Sequence, residues 1–199
     1  MQIFFRIMNQ ILPILFWITL ILGFEEPKVA VLTIIAAIIH EGGHMGFLKS
    51  KGIKRHNLRG VVSGFRIRTS CLLTYKEEIM LYFAGPLANI FTAIIFSFFD
   101  SEISDIICAL NIATAISNLL PVEGYDGYGI LRATIEKYSC GSIATRVLDG
   151  VSAGIIFSLC ILSIYFIDRF GSGYWIFGIF FFSMINLLSK WLKNTKNVD

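Results

Sequence analysis

Long apolar runs, interrupted by short clusters of charge, set the pattern of this chain. Six of them are long enough for a helix to cross a hydrocarbon core of roughly 30 Å, which takes about 20 residues. They are Ile3 to Phe24, Val29 to Leu48, Ile79 to Phe99, Ile103 to Leu120, Val147 to Ile167 and Gly173 to Leu192. The first is the least uniform, since Arg6, Asn9 and Gln10 leave a clean run of only Ile11 to Phe24, interrupted by Pro13. A signal peptide would read similarly, but no small-residue cleavage site precedes Glu25 and the next apolar run follows almost at once, so the pattern predicts a retained helix. Composition agrees: 55% of the 199 residues are hydrophobic, 16% are charged, and the mean hydropathy is +0.71. A soluble domain of this size carries more charge than that. The expected fold class is an all-α polytopic membrane protein with about six transmembrane helices, forming one membrane-embedded domain over residues 1–199.

Charge orients these spans, because short cytoplasmic loops accumulate Lys and Arg. Between Lys49 and Glu78 lie Lys49, Lys51, Lys54, Arg55, Arg59, Arg66, Arg68 and Lys76, which predicts a cytoplasmic segment. Arg132, Lys137 and Arg146 follow span four, Lys190, Lys193 and Lys196 occupy the tail, and Asp100, Glu102 and Asp105 crowd the opposite side. Six spans with both termini in the cytoplasm satisfy every loop, and a bacterial cytoplasmic membrane is the expected location. The net charge of +3 is thus spread over membrane-adjacent loops, where it favours anionic lipid and not nucleic acid. Cys71, Cys108, Cys140 and Cys160 are widely spaced and suggest neither a disulfide framework nor a Cys-type zinc site.

Two extramembrane segments break the helical pattern. Phe65, Ile67 and Thr69 alternate with Arg66 and Arg68, and Ser63-Gly64 separates them from Leu58 to Val62, which predicts a small cytoplasmic β-hairpin. Its exposed edge could pair with an extended peptide. Further on, Pro121, Gly124 and Gly127 break the helix arriving at Leu120, after which Tyr128 to Lys137 could form a short amphipathic or re-entrant helix. Irregular backbone at this depth is tolerated where protein or a water-filled cavity satisfies its amides.

The chemistry lies in span two. His40-Glu41-Gly42-Gly43-His44 is an H-E-x-x-H sequence, and on a helix its two histidines share a face that can hold one zinc ion, with Glu41 directed at the attacking water. Ionisable groups inside a span cost enough that function is their default reading, whereas Gly42 and Gly43 serve close helix packing. A hydrolytic zinc site takes three protein ligands, and the candidates for the third are His56, Glu123 and Asp126. Span two runs inward with His44 about one turn from its cytoplasmic end, and span four delivers Asp126 to the same side, so their depths match.

Three segments together resemble the site-2 protease family of intramembrane zinc metalloproteases: the H-E-x-x-H, the run Gly85-Pro86-Leu87-Ala88-Asn89 in span three, and Asn118-Leu119-Leu120-Pro121-Val122-Glu123-Gly124-Tyr125-Asp126-Gly127, which fits N-x-x-P-x-x-x-x-D-G. The compact layout is similar to the branch containing the bacterial sporulation protease of stage IV, and the expectation is neither an inserted PDZ-like domain nor a nucleotide-sensing domain after the last span. The resemblance implies a catalytic core over about residues 29–130, with accessory helices 3–24, 147–167 and 173–192 around it. It implies one Zn2+ held by His40, His44 and Asp126, Glu41 as the water-activating base, and Asn118 near the site, binding substrate or the oxyanion. Asn89 is a second candidate for that role, or else a polar link to a neighbouring helix. The implied partners are a transmembrane protein substrate, the lipid bilayer and, compatibly, a regulatory membrane protein.

The competing class is a non-proteolytic metal-binding membrane protein, either a transporter or a partner-binding pseudoprotease. Spans five and six offer a transporter path little beyond Ser152, Ser158, Ser163, Ser183 and Asn186, and no element of the catalytic set is missing.

Overall fold

A computed structural model describes residues 26–53, 58–61, 64–67, 73–138, 142–170, 178, 181 and 183–185, with the two short strands described as backbone. Among the described residues five helices carry the architecture: α1 (Pro27–Ser50), α2 (Tyr75–Phe96), α3 (Glu102–Asn118), α4 (Asp126–Tyr138) and α5 (Ser142–Phe170). Between α1 and α2 the backbone forms β1 (Leu58–Val61) and β2 (Gly64–Ile67), paired antiparallel with Leu58 opposite Ile67 and Val61 opposite Gly64. Among the described residues, three helices are long and apolar enough to cross a membrane: Pro27–Ser50, Tyr75–Phe96 and the Arg146–Arg169 part of α5. The apolar run Ile103 to Leu120 becomes α3, a helix of 17 residues, shorter than the about 20 that a perpendicular crossing needs. The expected accessory helix 3–24 and most of 173–192 lie outside the described residues.

Local sequence explains where the helices start and stop. Pro27 occupies the first turn of α1, where its missing N–H would have no partner anyway. The helix closes in a Schellman arrangement: Gly52, at φ 69°, donates to the Lys49 carbonyl at 3.0 Å and Ile53 to the Leu48 carbonyl at 3.0 Å. A capping box opens α2, with the Thr74 hydroxyl accepting from the Glu77 amide and the Glu77 carboxylate accepting from the Thr74 amide. The Ser101 hydroxyl caps α3 by accepting from the Ser104 amide. Gly124, at φ 102°, permits the tight turn that leads into α4.

Helix α2 is the hub, packing against α1, α3 and α4, while α1 also meets α3 and α4 meets α5. What is buried is mostly small or polar: Ala30, Ala36, Ala93, Ala115 and Ala133, with Asn89, Ser104, Asn111, Ser152 and Ser163. Many large apolar side chains point outward instead, Ile38 and Phe91 each at 65% exposure, although Leu48, Leu81 and Ile156 are buried. That inversion suits lipid, in which an outer Ile or Phe is already in an apolar solvent and small residues let helix backbones close. Gly43 is such a contact, because a Cβ there would collide with the Ala84 carbonyl of α2.

Candidate metal centre

His40 and His44 project from one face of α1 towards α2, where a Cβ on Gly85 would strike both imidazoles. Only a glycine leaves them room at that distance. Helix α4 supplies Asp126 at its first position, after the turn around Pro121 and Gly124. Asp126 Oδ2 lies 3.0 Å from His40 Nε2 and 3.3 Å from His44 Nε2, and the two Nε2 atoms are 3.2 Å apart.

The far side of each ring decides what these atoms can do. His44 Nδ1 is 2.8 Å from the Leu81 carbonyl, which can only accept, so Nδ1 carries a proton and in the neutral ring Nε2 presents a lone pair. His40 Nδ1 is 2.8 Å from Asn89 Oδ1. Both Asn89 N–H groups are engaged elsewhere, donating to the Ala36 carbonyl at 2.9 Å and to Asn111 Oδ1 at 2.8 Å. Asn89 Oδ1 must therefore accept, and His40 Nε2 also presents a lone pair. Asp126 Oδ2 is buried without a hydrogen-bond partner. With both rings neutral, three acceptor atoms converge, an arrangement that a cation stabilises. Ligands about 2.0–2.1 Å from a tetrahedral zinc ion lie roughly 3.4 Å from one another, close to the three separations found here. His40, His44 and Asp126 form a group whose donor atoms all lie within 4.8 Å, so the residues fit such an ion.

Glu41 is in electrostatic reach of all three. Of the other candidates for the third ligand, Glu123 lies in the turn before α4, where its amide donates to Ser152 Oγ at 2.8 Å, and His56 lies outside the described residues. Asn89 is fully buried behind His40, with neither N–H left to face a substrate. Asn118 ends α3, its Nδ2 donating to the Thr114 carbonyl one turn back at 2.9 Å, and the three-residue group forms without it.

The turn that presents Asp126 is fastened from α5. Val122 is buried against Ile156 and Cys160, with Tyr125, Ala153 and Met184 around them. Ser152 accepts the Glu123 amide, and the Tyr128 hydroxyl donates to Asp149. Beneath the first turn of α4, Gly127 lies against the Leu119 carbonyl and Gly129 against the Tyr82 ring, positions at which a side chain would collide. Sequence reasoning missed Asn111, Leu81 and Ser152. A buried asparagine in an apolar helix was the one available signal, and it pointed to Asn111 as readily as to Asn89.

No protein-family model and no curated protein matches the chain. Among solved structures, the Site-2 Protease from Methanocaldococcus jannaschii is similar with a TM-score of 0.63 and 18% identity, over 92% of this chain and 87% of that one. The chain has the fold of a site-2 protease. The likeness runs over nearly the whole of both chains.

Proposed function

We propose that this chain is an intramembrane zinc metalloprotease of the site-2 type, cleaving a peptide bond in or beside a transmembrane segment of another membrane protein. The observation that carries the reading is the convergence of His40 Nε2, His44 Nε2 and a buried Asp126 oxygen, with Glu41 beside them in an H-E-x-x-H helix.

His40, His44 and Asp126 would hold the ion. When bound, zinc supplies Lewis acidity, making water acidic enough to be a nucleophile near neutral pH and polarising the scissile carbonyl. Glu41 takes the proton of the attacking water and later returns it to the leaving amine. Asn89 orients His40, and Asn118, three residues before Pro121, is the proposed group for binding substrate or the oxyanion. A substrate helix must unwind for its peptide bond to be reached, and the β1–β2 edge offers main-chain groups to hold it extended. The basic stretch from Lys49 to Glu78 supports an opening on the cytoplasmic side, with a bacterial cytoplasmic membrane as the proposed setting.

The test incubates purified protein in detergent with a single-span substrate, comparing wild type, Glu41→Gln and Asp126→Ala with the metal content of each. Glu41→Gln is expected to keep its zinc and lose cleavage, and Asp126→Ala to lose both. Equal cleavage by wild type and Glu41→Gln would refute the mechanism, and full zinc occupancy in Asp126→Ala would refute the ligand assignment.

A further inference from the structure

Asn111, near the middle of α3, is buried one side chain away from His40. Its Nδ2 donates to the Ile107 carbonyl at 2.9 Å. A carbonyl only accepts, so the Asn111 amide nitrogen is held against Ile107 and its oxygen is turned towards Asn89. Asn89 meets that oxygen with one N–H and the Ala36 carbonyl with the other, which turns its own oxygen to His40 Nδ1. Two backbone carbonyls, on α1 and α3, therefore set the sense of every hydrogen bond in the row, and the last bond decides which nitrogen of His40 carries the proton.

We propose that Asn111 is a positioning residue for the metal ligand His40. By holding the Asn89 amide in one orientation it keeps His40 as the Nδ1–H tautomer, with the Nε2 lone pair facing Asp126 and His44. Buried amides in membrane helices commonly serve as interhelical links, but a link has no preferred hydrogen-bond sense. If Asn111 is replaced by an apolar group, one Asn89 N–H is left buried without an acceptor, and the Ala36 carbonyl alone still holds the amide in this sense, so the preference against a reversed amide is weakened. A reversed Asn89 would present N–H to Nδ1 and stabilise the opposite tautomer, whose Nε2–H cannot coordinate. The proposal rests on the zinc reading above for its consequence, though not for the tautomer itself.

The experiment uses full-length protein in detergent with two substitutions, Asn111→Leu and Asn111→Asp. Leucine has nearly the same size and suits an apolar helix, so α3 is retained. The acid, kept neutral by burial, still accepts from Asn89 and can donate its hydroxyl to Ile107. Zinc affinity is measured by chelator competition, and the His40 tautomer by 15N NMR of labelled histidine in metal-free protein, where three histidines make assignment tractable. Asn111→Leu is expected to weaken zinc binding up to about 10-fold, the lower end of the loss for a partner bonded directly to a metal ligand, and to show an Nε2–H population at His40. Asn111→Asp should stay close to wild type on both measures. A Leu variant with unchanged affinity and an unchanged Nδ1–H tautomer would overturn the proposal. So would equal losses in both variants with the tautomer kept, which would assign Asn111 to packing. A wild type that takes up no zinc would sink the metalloprotease reading instead, and the tautomer measurement would still decide the role of Asn111.

Discussion

Replacing Gly85 by alanine tests whether the close approach of α2 to α1 sets the metal site. The added methyl would collide with His44 Nε2 and lie 2.7 Å from His44 Cε1 and 2.8 Å from His40 Cε1. Carbon atoms in favourable contact stay about 3.5 Å apart, so both rings would have to retreat by roughly 0.7 Å, away from hydrogen bonds that fix them at Leu81 and Asn89. Overpacking of this kind costs roughly 1–3 kcal/mol. If the rings carry that strain in the metal-bound state, zinc affinity falls by about 5- to 140-fold, at 1.4 kcal/mol per factor of ten. Gly46→Ala is the matched control, since it lies on α1 with nothing within 4 Å of the new methyl. A helix-interior alanine there should be neutral or stabilise by up to about 1 kcal/mol. Chelator competition for zinc and thermal unfolding in the same detergent give the two readouts. A Gly85→Ala protein matching Gly46→Ala in both would refute the reasoning.

Other consequences concern what surrounds the site. Ser152→Ala removes the acceptor for the Glu123 amide beside a fully buried position, and should lower stability by roughly 1–3 kcal/mol in thermal unfolding while weakening zinc binding by loosening the Asp126 turn. The Lys28 ammonium, 2.9 Å from Glu102, holds that carboxyl below its ordinary value of 4.5, so the pair's contribution is present above that pH and is lost as pH falls through the folded value. Lys28→Met should flatten the acid limb of a plot of unfolding temperature against pH, and salt should reduce the difference from wild type.

How far the sequence goes depends on whether a residue's identity or only its placement matters. His40, Glu41 and His44 are legible because three ionisable groups at helical spacing inside an apolar run need a reason to be there. The short helix after Gly127 is legible from its amphipathic composition, and appears as Asp126–Tyr138. The buried face of each long helix is not legible from hydropathy, because a membrane helix is apolar all round: Ile38 and Phe91 face outward while Ala36 and Ala93 are buried. The partner of His44 is a main-chain carbonyl, that of Leu81, and a carbonyl has no sequence signature. Asn111 and Ser152 stand in the sequence as ordinary polar residues of membrane helices, and their roles come from a helix crossing that periodicity does not encode.

The metal centre also shows why a core of three motifs is not enough to make the site. The two histidines are four residues apart on one helix, and α1 alone sets their spacing. Asp126 comes from a separate segment that Pro121 and Gly124 have released from helical geometry, so nothing local fixes its carboxylate to within the few tenths of an ångström that a metal ligand requires. That precision comes from elsewhere: Val122 against Ile156 and Cys160, the Glu123 amide on Ser152, and the Tyr128 hydroxyl on Asp149. Every one of those anchors is on α5, beyond the residues that carry the three motifs. The long helix after the core is therefore part of how Asp126, the proposed third ligand, is aimed, and a change in its packing would be felt first there.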